Sequence, residues 1–90
     1  MQKPVRSHTF CGQTYRIIIC PAPAGLCDLP GPPELHIYAR LNTQNGIITT
    51  IHESLHACFP KMPEDVVDQT SRDIGRFLWR LGYKWQPDLS

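Results

Sequence analysis

Ninety residues, 41% of them hydrophobic, with nine Lys and Arg against eight Asp and Glu, describe one small globular domain over positions 1–90. The charge balance, and the lack of a basic block long enough to follow a phosphate backbone, argue against nucleic acid as a partner. No apolar run approaches the roughly 20 residues of a membrane span and MQKPVRSHTF has no signal-peptide core, so no membrane is expected and the cytoplasm is the expected compartment.

In chain order, a weak strand is predicted over residues 5–10, followed by a tight turn at Cys11-Gly12. Residues 13–20, QTYRIIIC, are rich in β-branched and aromatic side chains and place Tyr15, Ile17 and Ile19 on one face, the pattern of a strand. Residues 21–33 hold five prolines and two glycines. Proline lacks the backbone donor and fixes its own torsion, which takes this stretch out of regular structure. Alternation returns over residues 34–41. Leu35, Ile37, Ala39 and Leu41 turn toward a core, and Glu34, His36, Tyr38 and Arg40 face outward on an edge strand.

Residues 42–46 read as a polar turn, after which Ile47, Ile48, Ile51, Leu55, Cys58 and Phe59 recur at helical spacing until Pro60. A second helix opens with Glu64 and Asp65, whose carboxylates suit the positive end of a helix dipole. Its apolar stripe is Val67, Ile74, Phe77, Leu78 and Leu81, and Gly82 ends it. Arg76, Trp79 and Arg80 are expected to be surface or packing residues, and Tyr83 and Trp85 to pack back on the sheet. The predicted class is α+β: a small antiparallel sheet of about three strands with both helices on one face.

The four cysteines, Cys11, Cys20, Cys27 and Cys58, show no CxxC spacing, which speaks against a zinc ribbon or a thioredoxin-like pair. Cys20 and Cys58 read as small core residues, and Cys11 as part of the turn.

The chemistry concentrates in IHESLHACFP, residues 51–60. At 100 degrees per residue, His52 and His56 lie about 40 degrees apart on one helix face, where both imidazoles can reach one ion. Tetrahedral zinc accepts such a pair, and Glu53, displaced round the helix, can reach a metal-bound water as general base. A third protein ligand is then required. A short loop folds the second helix back along the first, which makes Glu64 the favoured third ligand and Asp68 the alternative, with Asp65 and His36 behind them. His36, Tyr38 and Arg40, on the outward face of the edge strand, are candidate substrate contacts, since an edge strand can align a peptide by backbone pairing.

Over residues 34–82 the chain resembles the zincin metallopeptidases, in particular small gluzincin-like proteins such as the minigluzincins and the peptidase domain of ImmA/IrrE-type proteins. It also resembles short bacterial and phage proteins whose shared elements stand here as Gly25-Leu26-Cys27-Asp28, His52-Glu53-Ser54-Leu55-His56-Ala57, Glu64-Asp65 and Leu81-Gly82-Tyr83. The resemblance implies zinc held by His52 and His56, an acidic third ligand on the next helix, Glu53 as general base, and a peptide or protein substrate. The interval from His56 to Glu64 is shorter than the gluzincin spacing, and at the mid-helix place of the family's glutamate this chain offers Asp68 and Asp73. Cys27 and Asp28, just upstream of the edge strand, read as part of a structural loop turn, with a cover over the metal as a latency device the alternative. The rival expectation is a zinc-stabilised or protein-interaction module without catalysis, in a phage or regulatory assembly.

Overall fold

The computed structural model of the chain describes residues 5–20 and 33–85. The first chain reversal is made by Cys11 and Gly12, whose φ angles of 48° and 84° are the paired left-handed values of a two-residue hairpin turn. Gly12 takes its value freely, whereas Cys11 carries a Cβ into a region that disfavours side chains. The turn joins β1 (Ser7–Phe10) to β2 (Gln13–Cys20) as an antiparallel pair, with Phe10 opposite Gln13.

β3 (Glu34–Tyr38) lies on the other side of β2, with Leu35 beside Ile17 and Ile37 beside Ile19, in the order β1-β2-β3. The three strands, two helices and α+β class agree with expectation. The direction of β3 differs: it runs parallel to β2, so the sheet is mixed and not antiparallel throughout. Antiparallel neighbours can be joined by a two-residue turn, but a parallel neighbour needs a crossover of about a dozen residues, and residues 21–33 supply that length. Cys27 and Asp28, with the rest of the Gly25-Leu26-Cys27-Asp28 element, lie outside the described residues.

α1 (Gln44–Cys58) begins inside the predicted turn. Thr43 caps it: the hydroxyl accepts from Gly46 N–H at 2.9 Å and donates to the Arg40 carbonyl at 2.7 Å. Gly46 is therefore a helical residue, and a Cβ there would collide with the Arg40 carbonyl, so its bare backbone lets α1 start tight against the end of β3. At the far end Phe59 N–H still reaches the Leu55 carbonyl at 2.7 Å, and Pro60 stops further turns. α2 (Glu64–Leu81) has the expected bounds, with Glu64 and Asp65 in its first turn and Gly82 closing it at φ 97°.

Both helices stack on one side of the sheet, α1 against the strands and α2 against α1. Leu35, Ile37, Ala39 and Val67 form the buried apolar core. Ile47, Ile51 and Leu78 line an apolar groove with Leu35 and Ile37, and Trp85 reaches the same groove, while Tyr83 is exposed. The buried stripe of α2 is not the one its large apolar residues suggest. Val67, Ser71 and Gly75 are buried, whereas Ile74, Phe77 and Leu81 are 41%, 60% and 57% exposed. Small residues win this face because the helices approach closely: a Cβ on Gly75 would lie 2.5 Å from Ile48 Cγ1 and 3.1 Å from its Cα. Among the described residues, no helix is long and apolar enough to cross a membrane.

Candidate metal centre

The α1–α2 packing places the first turn of α2 beside the last two turns of α1. Glu64 bridges both histidines, with Oε1 2.9 Å from His52 Nε2 and Oε2 2.9 Å from His56 Nε2. The two Nε2 atoms are 3.2 Å apart, and one donor atom from each of the three residues lies within 4.8 Å of the others. A tetrahedral ion with bonds of roughly 2.0–2.1 Å holds its donors about 3.3 Å apart. The triangle needs to open by only a few tenths of an ångström to accept zinc, so the donor set fits in type and spacing.

Asp68 stands on the other side of His52. Its Oδ1 is 3.8 Å from Nδ1 while its Oδ2 pairs with Arg72 at 3.2 Å. Glu64 is thus the carboxylate that meets both histidines, and Asp68 is placed to orient the His52 ring from behind. Asp65 and Asp73 do not belong to the group. The histidines are half-buried, and Glu64 has 67% of its side chain exposed, so one side of the triangle opens to solvent.

Glu53, also half-buried, lines with His52 a cavity of about 440 Å³ in the groove between the helices. This cavity lies on a different side of α1 from the apolar groove, which Ile47, Thr50, Ile51 and Ser54 share with the sheet. α1 therefore stands between the sheet and the cavity. His36, Tyr38 and Arg40 are not brought to the histidines. His36 bonds its strand neighbours, with Nε2 3.1 Å from Glu34 Oε1 and Nδ1 3.0 Å from the Tyr38 hydroxyl, and Arg40 is exposed just past the strand. These side chains project from the face of β3 opposite Leu35 and Ile37.

Beside Asp68, the alternative ligand, the cavity is lined by residues that the sequence left as surface positions or did not single out. Asp68, Arg72 and Arg76 line it from α2, and Asn45 and Thr49 from α1. The available signal was spacing: 68, 72 and 76, like 45, 49 and 53, repeat every four residues along one helix face. Cys58, expected in the core, is half-buried at the end of α1, and Cys11 is exposed. The two thiols interact, and burial first, then the Cys11 contact, push the Cys58 thiol above its ordinary value.

No known protein family, curated protein or solved structure matches this chain.

Proposed function

We propose that the chain is a zinc-dependent hydrolase of peptide bonds, in which His52, His56 and Glu64 hold the metal and Glu53 is the general base. The observation that carries this reading is the convergence of three donors of zinc-binding type, one of which, His52, also lines with Glu53 a cavity between the helices. Three protein donors with an open side suit a catalytic site, whereas a purely structural zinc takes four. Among the described residues no fourth donor joins the group. The choice of a peptide substrate draws on the zincin resemblance.

Zinc in such a site lowers the pKa of its water to about 7 and polarises a carbonyl. The rest of the work falls to this chain's own side chains. Glu53 takes a proton from the attacking water and returns it to the leaving amine. Asp68, 3.8 Å from His52 Nδ1, is close enough to orient the ring by its charge and to leave Nε2 toward the site. Arg72 in turn restrains Asp68.

The test is zinc content and peptide cleavage together. Wild-type protein purified without added metal is expected to carry about one zinc per chain, and His56→Ala to lose it. Glu53→Gln is expected to retain zinc and lose cleavage of any substrate the wild type hydrolyses, by at least about a hundred-fold. Wild-type protein that takes up no zinc even on reconstitution would overturn the proposal, and so would native-rate cleavage by Glu53→Gln.

A further inference from the structure

The cavity beside Glu53 has two chemically different ends. At one end are His52, Glu53 and Asp68; at the other, toward the start of α1, are Asn45, Thr49 and Arg76. The level of Arg76 follows from its neighbour Gly75, which packs on Ile48 and so sets that turn of α2 beside the first half of α1. Asp68 is spoken for by Arg72 at 3.2 Å, but among the described residues Arg76 has no carboxylate within ion-pair distance. No acidic residue in the first turn of α1 offsets it.

Arg76 is exposed on the cavity wall without a counter-charge among the described residues, so its guanidinium is available to an anion. Its planar fork matches a carboxylate with two parallel hydrogen bonds, and Asn45 and Thr49 across the cleft supply further polar groups. We propose that this end of the cavity binds a carboxylate of the substrate, with Arg76 as the residue that recognises it. The inference rests on the hydrolase reading for the identity of the ligand as a peptide. From Glu53 back to Asn45 is eight residues of helix, about 12 Å, which an extended peptide spans in roughly three to four residues. The carboxylate therefore sits about three residues from the bond presented to Glu53. It belongs to an acidic side chain or to the peptide's C-terminus.

Binding without turnover tests this separately from catalysis. Fluorescein-labelled octapeptides of one alanine-rich sequence are titrated by anisotropy against zinc-reconstituted Glu53→Gln: one with a central Glu and a free C-terminus, one with that Glu changed to Gln, one amidated, and one carrying both changes. The acidic peptide is expected to bind at least about ten-fold more tightly than the doubly neutral one, with the advantage shrinking at high salt. Adding Arg76→Ala or Arg76→Gln is expected to remove that advantage without changing zinc content. Whichever single change abolishes the preference names the source, side chain or terminus.

Equal binding of acidic and neutral peptides overturns the inference, as does an acid preference that survives loss of Arg76 or an absence of binding by all four. The two readings fail separately. If the protein takes up no zinc but still prefers acidic peptides through Arg76, the hydrolase reading falls and the carboxylate site stands. Zinc-dependent cleavage that ignores acidic groups, with no acid preference in binding, gives the reverse.

Discussion

Glu64 and Asp68 are one turn apart on the same helix and carry the same charge, yet they meet different atoms of His52. Glu64 approaches Nε2, the nitrogen that also faces His56, and Asp68 approaches Nδ1. Under the proposed function their substitutions separate. Glu64→Ala removes a donor and is expected to abolish tight zinc binding, while Asp68→Asn loosens the ring and costs about 10–100-fold in affinity. Titration against a chromogenic chelator distinguishes them, and equal losses would mean that Asp68 is itself a ligand. A second residue-scale expectation concerns the thiols. Cys58 is half-buried and its thiol is pushed up, whereas Cys11 is exposed. Burial keeps the Cys58 thiol more protonated at pH 8 than an ordinary cysteine, so iodoacetamide is expected to modify Cys11 before Cys58, read by mass spectrometry of the native protein.

Among the elements, the α1–α2 pair decides the site. Val67, Ser71 and Gly75 form the seam, with Val67 and Ser71 fully buried and the Ser71 hydroxyl donating to the Asp68 carbonyl at 3.0 Å. Val67→Ala removes buried apolar surface within that seam and is expected to lower stability by about 2 kcal/mol in urea denaturation. Gly75→Ala sets two effects against each other. The helix gains about 1 kcal/mol of intrinsic propensity, but the new methyl meets Ile48 side chain and backbone, an overpacking that costs about 1–3 kcal/mol. The clash includes backbone that cannot rotate away, so a net loss is expected, with α2 displaced and zinc affinity reduced in the same variant. A Gly75→Ala protein with raised melting temperature and native zinc affinity would show that the helices have slack at this crossing. Large apolar residues on the outer face behave differently: Phe77, 60% exposed, touches too little for Phe77→Ser to matter beyond about 0.5 kcal/mol.

Across the whole molecule, the proposed ion ties the start of α2 to the end of α1, so it acts as a staple on a small core. With free zinc about a thousand-fold above its Kd, binding to the folded state alone adds about 4 kcal/mol. Chelation is then expected to lower the melting temperature by upwards of about 15 °C, and His56→Ala to be insensitive to the chelator. Much of this arrangement was legible beforehand. Alternation along residues 34–39 identified the buried Leu35, Ile37 and Ala39, and the acidic start and glycine stop of α2 marked its ends, because periodicity and capping act over a few neighbouring residues. The one-turn spacing of His52 and His56 is of the same local kind. What lies outside that range depends on contacts between distant segments. The parallel course of β3 follows from where a long connection returns, the early start of α1 from Gly46 meeting Arg40, and the burial of small residues in place of Ile74 and Phe77 from how closely two helices cross. So it is with the candidate centre: the sequence by itself determined that two imidazoles share a helix face. Only the tertiary structure decided that Glu64 closes the triangle, that Asp68 stands behind it, and that Arg76 faces the same cleft, because those meetings depend on the height and angle at which Gly75 seats α2 on Ile48.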